Sequence, residues 1–166
     1  MTTLVSTDLL KVDNFWAWAL AQWSDPILAA EMMALQEGHD CVVLELLLMG
    51  WLGRQHLAIS SAAHGRLVEM AVPWLEGVVI PLRHTRRAWR GIAARASERQ
   101  KLQSLELKCE YALAELYFRT LELMEPSELG MVEESRVIEN LGIALASAAP
   151  PVDVERIRAL GALLSK

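Results

Sequence analysis

The sequence predicts an all-α protein, a single-domain irregular bundle of about seven to eight helices. Apolar residues recur every three or four positions through most of the 166 residues, the spacing that lines one face of a helix. No segment alternates apolar and polar residues as a half-buried strand does, so we expect no sheet. A hydrophobic content of 53% suffices for a sizeable core without disulfides or metal ions.

Three parts are expected along the chain: an N-terminal lead over residues 1–12, a helical core domain over 13–146, and a linker with a C-terminal helix over 147–166. The linker is marked by small residues and by the pair Pro150-Pro151, which cannot continue a helix.

The N-terminal part of the core domain should form two helices. Asp13 or Asn14 can cap the first, over residues 15–23, because a short side-chain oxygen accepts hydrogen bonds from the free N–H groups of a first turn. Pro26 suits the first position of the second helix, where a missing N–H costs nothing. Gly38 tolerates the left-handed turn that would end this helix.

The third helix, expected over residues 41–52 with Asp40 as its cap and Gly53 at its end, is apolar on all sides. Such a helix belongs at the centre of a core. It contains Glu45, and because an unpaired buried carboxylate is costly, we expect this residue to pair with an arginine of segment 81–101. A functional carboxylate and simple surface exposure are the alternatives.

Prolines divide the next helical stretch. A helix is expected over about 61–72, and Pro73 should open another, whose apolar stripe ends at Trp89. Pro81 lies inside that stripe and should kink or split the helix, since it removes a backbone hydrogen bond.

The remaining helices are expected over residues 98–124, 132–145 and 152–164. In the longest of them, the glutamates, Glu106 and Glu110 among them, lie mostly off the apolar stripe.

Positive charge is concentrated in one segment. The chain carries a net charge of −5, yet residues 81–101 hold seven of the 16 Lys and Arg residues and a single acid. A chain of this overall charge does not bind nucleic acid or acidic membranes with its whole surface.

Four arginines of this segment are the candidate anion- or partner-binding residues: Arg83, Arg86, Arg87 and Arg90. Arg83, Arg87 and Arg90 share one helical face, and the planar fork of a guanidinium group suits phosphate or carboxylate. One interpretation is a site for a small anion, a nucleotide or RNA phosphate. The alternative is that the arginines face water, or pair with glutamates of the chain itself or with an acidic face of a partner subunit.

The chain contains no phosphate-binding loop, no dinucleotide fingerprint, no HExxH and no GxSxG motif. We therefore expect no catalytic residue, no cofactor and no metal. His39, Asp40 and Cys41 form one compact group of ligand types, but three adjacent residues of a regular helix cannot all face one ion. Cys41 and Cys109 are expected to be reduced core thiols.

Nothing in the sequence indicates a membrane span. The most apolar run, residues 41–53, is shorter than the roughly 20 residues a span requires, and it includes Glu45. The N-terminus lacks the basic and apolar regions of a signal peptide, so we expect a cytoplasmic protein.

A series of residues in the first half of the chain has the form of a family pattern: Phe15-Trp16, Leu35-Gln36, Leu46-Leu47-Leu48, Trp51, Gly53, Trp74, Pro81-Leu82-Arg83 and Arg86-Arg87. This series resembles an uncharacterised family of short bacterial helical proteins, catalogued as a domain of unknown function. The similarity covers about residues 14–90, with weaker similarity along the Glu-rich helix that ends near Met124, and about the last forty residues look like an addition.

The chain departs from the family pattern at one place. Family members resemble Asp-Val-Asn where this chain has Val42-Val43-Leu44, so any polar site of the family at that position would be missing. The resemblance implies an all-helical, bacterial, cytoplasmic protein and brings no activity with it.

Composition and motifs together favour a non-enzymatic protein-interaction, adaptor or regulatory protein. The apolar excess and the six tryptophans indicate an interface with a protein partner or with a second copy, because aromatic residues are enriched at interfaces. Binding of an anion, a nucleotide or RNA through Arg83–Arg90 is the alternative. An enzyme with a helical pocket around Glu45 is the third hypothesis.

Overall fold

A computed structural model describes residues 10–166. Within these residues the chain forms eight α-helices: α1 (Val12–Trp23), α2 (Pro26–His39), α3 (Val43–Arg54), α4 (Ser61–Trp74), α5 (Ile80–Ala88), α6 (Ala96–Leu121), α7 (Val137–Leu145) and α8 (Val154–Leu164). Two short strands, β1 (Leu57–Ile59) and β2 (Leu129–Met131), pair antiparallel. The predicted all-α fold is confirmed, whereas the expectation of no sheet is wrong.

Helix α3 occupies the centre of the core. Its residues from Leu44 to Gly53 are all buried, as expected for a helix that is apolar on all sides. Helix α7 packs most extensively against it, and α1, α2 and α8 contact other parts of its surface. The outer helices are therefore arranged by the need to cover α3.

Three aromatic rings connect α1, α3 and α6 in this core. Phe15 lies 5.9 Å from Trp51 and 5.5 Å from Phe118, measured between ring centroids, and Trp51 lies 5.6 Å from Phe118. Tilted and edge-on contacts at these distances stabilise a core beyond the area they bury. They hold α1 and α6 in place against α3.

The start of α3 differs from the prediction. Asp40 has a φ of 53° and ends α2, with its N–H bonded to the carbonyl of Leu35, so it does not cap α3. Asp can adopt this left-handed conformation at low cost, which lets α2 continue through Gly38. Val42 precedes α3 and provides no side-chain cap.

The predicted starts of α2 and α4 are correct. Helix α2 begins at Pro26, and the Ser60 hydroxyl accepts a hydrogen bond from an N–H in the first turn of α4. The cap expected for α1 is wrong, because this helix begins at Val12 and places Asp13 and Asn14 inside its first turn.

Helices α4 and α5 form one continuous rod, joined by a π-helical turn (Leu75–Val79). Pro73 lies inside α4, so the expectation that it opens a new helix is wrong. The interruption expected at Pro81 is present as the π-helical turn directly before it. Proline has no N–H to donate and its ring crowds the carbonyl four residues earlier, which a wider turn accommodates.

Strands β1 and β2 bring distant parts of the chain together beside α7. Asn140 is 1% exposed and bonds the backbone of β1 at two points on one edge: its Nδ2 donates to the Leu57 carbonyl at 2.8 Å, and its Oδ1 accepts from the Ile59 N–H at 3.3 Å. Since β2 takes up residues 129–131, α7 begins at Val137, later than the predicted 132.

None of the helices within residues 10–166 combines the length and the apolar character that crossing a lipid bilayer would take.

The contact between α3 and α7 predicts the effect of a single added methyl group. A Cβ at Gly53 would lie 2.5 Å from the Cα of Val137, so Gly53→Ala must push the two backbones apart. We expect Gly53→Ala to lower the free energy of unfolding by roughly 3 kcal/mol in urea titrations. Gly65→Ala is the control, because open space surrounds Gly65 in α4, and it should stabilise by about 0.5–1 kcal/mol. Equal effects of the two substitutions would contradict the close packing.

Candidate functional site

The basic segment forms a helical hairpin from α5 and the first half of α6. Arg83 donates to Glu110 at 2.8 Å, Arg86 pairs with Glu106, and Arg99 donates to the carbonyl of Arg86 at 3.3 Å. Later residues of α5 therefore contact earlier residues of α6, which shows that the two helices run antiparallel.

An ion-pair cluster lies at the base of this hairpin and consists of Gln36, Arg83, Arg86, Glu106 and Glu110. The Glu106 side chain is buried and accepts from Arg83 Nε at 3.0 Å and from Arg86 Nε and Nη2. Arg83 also donates to the Gln36 side chain of α2 at 2.9 Å. One buried carboxylate thus connects two turns of α5 to α6, and Arg83 extends the network to α2.

The two carboxylates of the cluster titrate differently. Burial raises the pKa of Glu106, but hydrogen bonds from Arg86 and Arg83 outweigh it and hold the pKa below its usual value. Burial raises the pKa of Glu110, and the opposing attraction of Arg83 does not reverse that shift. The hydrogen bond to Glu106 in turn raises the pKa of Arg86. Glu106 is therefore ionised at neutral pH and neutralises positive charge from α5.

The other end of the hairpin, which we name the basic tip, consists of Trp89, Arg90, Ile92 and Arg95. The Arg95 guanidinium lies over the Trp89 ring at 5.9 Å. Ile92 is 47% exposed, and the exposed Arg90 side chain forms no hydrogen bond or ion pair with any described residue. The basic tip thus combines exposed positive charge with aromatic and aliphatic surface.

The structure does not bring the four candidate arginines to one exposed surface. Arg83 and Arg86 point into the ion-pair cluster, as expected if they pair with glutamates of the chain itself. Arg87 lies 3.9 Å from the exposed Glu37 carboxylate, a weak contact. Of the four, only Arg90 has an exposed side chain whose donors contact no acceptor among the described residues.

Glu45 is buried and pairs with a histidine. Its Oε1 lies 2.7 Å from Nε2 of His64 on α4, so the expected arginine partner is wrong. The hydroxyl of Tyr117 on α6 is buried nearby without a hydrogen-bond partner among the described residues. Burial, with a smaller contribution from the charge of Glu45, raises the pKa of Tyr117. Three titratable groups thus meet inside the core.

The group His39, Asp40 and Cys41 does not converge on a point. His39 contacts the Pro150 carbonyl at 2.6 Å and Arg156 at 2.9 Å, while the Cys41 thiol faces the His39 carbonyl. Over the part of the chain that the structure describes, no three His, Cys, Asp or Glu side chains are placed to hold a metal ion. Cys41 and Cys109 are free thiols, and burial raises the pKa of Cys41.

The ion-pair cluster lies within a region of the chain that matches a known protein family. A model of the family described as "Protein of unknown function (DUF2390)" matches residues 14–116. The chain belongs to this family. The matched range extends beyond the expected 14–90 and contains every member of the ion-pair cluster, the basic tip and the pair Glu45–His64. No curated protein and no solved structure matches the chain.

Sequence reasoning missed the acids and the amide that complete the cluster. Glu106 and Glu110 lie mostly off the apolar stripe of α6, and nothing in a linear pattern reveals that α5 covers that side. Gln36 stands in the Leu-Gln pair of the family pattern, which marked it without indicating a partner. The partner of Glu45, His64, lies on a helix whose position against α3 no periodicity reports.

The ion-pair cluster predicts a large effect for one isosteric substitution. Glu106→Gln removes a buried charge that two arginines require, so we expect the free energy of unfolding to fall by roughly 3 kcal/mol. Glu98→Gln, at an exposed i,i+3 pair on the same helix, should change it by less than about 0.5 kcal/mol. Urea titrations of both variants measure the difference, and similar values would show that the cluster does not brace the hairpin.

The pKa of Glu106 also predicts a pH dependence. Because this pKa is lower in the folded than in the unfolded chain, ionised Glu106 stabilises the fold above its unfolded pKa, and this contribution is lost as the pH falls through the folded pKa. The stability difference between the unaltered protein and Glu106→Gln should therefore be constant near pH 7 and shrink below about pH 4. Urea titrations at several pH values test this, and a constant difference down to pH 3 would contradict it.

Proposed function

We propose that this protein is a non-enzymatic interaction protein of the bacterial cytoplasm, and that its basic tip binds an acidic segment of a partner protein. The observation that carries the proposal is the exposed, unpartnered guanidinium of Arg90 beside Trp89 and Ile92. Arginine and tryptophan are the residues most enriched among the strongest contacts of protein interfaces.

The distribution of charge supports an acidic partner. The whole chain is acidic, with a net charge of −5, so the positive charge of the hairpin is local. The ion-pair cluster neutralises Arg83 and Arg86 at the base. At the tip, Arg90 has no acidic partner among the described residues, and Arg95 faces only the exposed Glu98 carboxylate at 4.0 Å. An acidic partner is steered to such an end, and the remainder of the surface repels it.

Rigidity supports binding at the same place. The hairpin is braced by Glu106 and by the bond from Arg99 to the Arg86 carbonyl. A preorganised surface loses little conformational entropy when it binds. The ion-pair cluster therefore serves the tip by holding it in position.

The position of the pair Glu45–His64 supports a role other than catalysis. Both side chains are buried, at 9% and 7% exposure, and neither lines the surface groove between α2 and α8. A substrate would have to open the core to reach them. Their hydrogen bond satisfies two polar groups that the packing of α4 on α3 encloses.

RNA is the second candidate partner, because arginines bind phosphate and an aromatic ring stacks on bases. The structure favours a protein partner over RNA, because the Arg95 guanidinium covers a face of the Trp89 ring on which a base would stack. A crosslinker at the basic tip would capture protein in the first case and RNA in the second.

Photo-crosslinking separates these outcomes. We would place p-benzoylphenylalanine at position 92 in the basic tip, and at position 123 as a control, since Leu123 is also exposed but neighbours glutamates. We expect crosslinks to protein at position 92 in cells that express the chain naturally. The double variant Arg90→Glu, Arg95→Glu should reduce them at least about tenfold, because like charges then face each other.

Arg119→Glu is a charge-reversal control, since Arg119 is an exposed arginine farther along α6, and it should leave the crosslinks unchanged. Crosslinks to RNA at position 92 would favour the second candidate. Equal crosslinking at positions 92 and 123, or no loss in the double variant, would refute binding through the basic tip.

A further inference from the structure

The C-terminal strap, as we name residues 146–159, runs over the surface between α7 and the buried end of α8. None of its residues is buried, and Val152 and Ile157 reach the core only with half-buried side chains. The end of α8 is fixed separately, because Leu160 and Leu164 are buried in the core. Apolar packing therefore holds the strap weakly, and its position depends on polar contacts as well.

His39, the last residue of α2, makes two of these polar contacts. Its Nδ1 lies 2.6 Å from the carbonyl oxygen of Pro150, and its Nε2 lies 2.9 Å from Nη1 of Arg156. Arg156 also donates to the Glu31 carboxylate of α2 at 2.6 Å. One imidazole thus connects the end of α2, inside the family match, to two parts of a segment outside it.

The two partners determine where the imidazole of His39 carries its hydrogen. A carbonyl oxygen can only accept, so Nδ1 must donate to Pro150. A guanidinium group can only donate, so Nε2 must offer its lone pair to Arg156. Both contacts therefore require the neutral imidazole with its hydrogen on Nδ1. A protonated imidazole carries a hydrogen on each nitrogen and would direct an N–H at the guanidinium group.

Arg156 is the charged group in contact with His39, and it opposes the uptake of a proton there. The hydrogen bond to Glu31 raises the pKa of Arg156, which keeps the guanidinium charged. The other titratable groups on the surrounding elements are Glu31 of α2, Asp40 and Cys41 after it, Glu45 of α3 and Asp153 of the strap.

These other groups are mostly engaged elsewhere. Asp153 accepts the backbone N–H of Arg156 at 2.8 Å, and Glu45 bonds His64, whereas the Asp40 side chain is in water. Burial raises the pKa of the Cys41 thiol, so it adds no charge near neutral pH.

We propose that His39 is a pH-sensitive latch, which holds the C-terminal strap on α2 while the imidazole is neutral and releases the strap when the imidazole takes up a proton. Histidine is the side chain that changes its charge between about pH 5 and 8. Protonation removes the acceptor of Arg156 and leaves one carboxylate, Glu31, facing two cations. Since Leu160 and Leu164 stay buried, release loosens the strap and leaves the core intact. The latch does not depend on what the basic tip binds.

Nitrogen NMR spectra of the imidazoles in the full-length protein test the protonation pattern. At about pH 8 we expect a hydrogen on Nδ1 of His39 and none on Nε2. His56 is the matched control, because its Nδ1 also contacts a carbonyl, that of Glu133 at 3.0 Å, while its Nε2 contacts no described residue. A proton taken up by His56 therefore breaks no contact. A hydrogen on Nε2 of His39 at about pH 8 would overturn the proposal.

Hydrogen–deuterium exchange measures the release of the strap. Between about pH 8 and pH 5.5, the protection factors of amides 157–159 should fall about tenfold, while those of the core helix α3 stay constant. His39→Gln should abolish this loss, because its amide can donate to Pro150 and accept from Arg156 but takes up no proton. His56→Gln is the control and should leave the loss unchanged.

His39→Lys is the converse variant, because it places a permanent positive charge beside Arg156. The strap should then be unprotected at about pH 8 as well. Protection that is independent of pH in the unaltered protein would overturn the latch. The same loss of protection in His39→Gln as in the unaltered protein, or full protection in His39→Lys, would overturn it too.

Discussion

The burial of helix α3 is the constraint on which the rest of the molecule depends. A helix with apolar residues on every side cannot leave any face in water, so other elements must surround it. Its neighbours come from the start, the middle and the end of the chain. Gly53 shows how tight this enclosure is, since no side chain fits between α3 and the start of α7. The position of each outer helix follows from the side of α3 that it covers.

Beyond the apolar core, ion pairs rather than apolar packing hold the helices together. The rod of α4 and α5 extends beyond α3, and Ile80–Ala88 contains no buried residue. Apolar packing cannot hold such a helix, so Arg83 and Arg86 reach the buried carboxylate of Glu106 instead. An ion pair of this kind adds little net stability compared with apolar packing, but it fixes one arrangement of two helices. A family pattern rich in arginine thereby marks a structural brace as well as a charged surface.

Periodicity predicted the elements whose positions are decided by local sequence. The apolar run of α3 and the proline at the start of α2 act over a few residues, and both predictions are confirmed. The strands were missed because three residues show no period and their pairing joins positions 70 or more residues apart. The partners of Glu45 and Arg83 were missed for the same reason, since an ion pair between helices leaves no mark on either helix alone. Asp40 was misplaced because one residue type suits both a helix start and a left-handed helix end.

The late position of α7 has a consequence for synthesis. Asn140 bonds the carbonyl of Met49, 91 residues earlier, so the leucine-rich helix leaves the ribosome long before the helix that covers it. At about 5–20 residues per second, the interval is roughly 5 to 20 seconds. During that time the nascent chain exposes a strongly apolar segment, of the kind that chaperones recognise. The C-terminal residues outside the family match thus complete the enclosure that the first hundred residues begin.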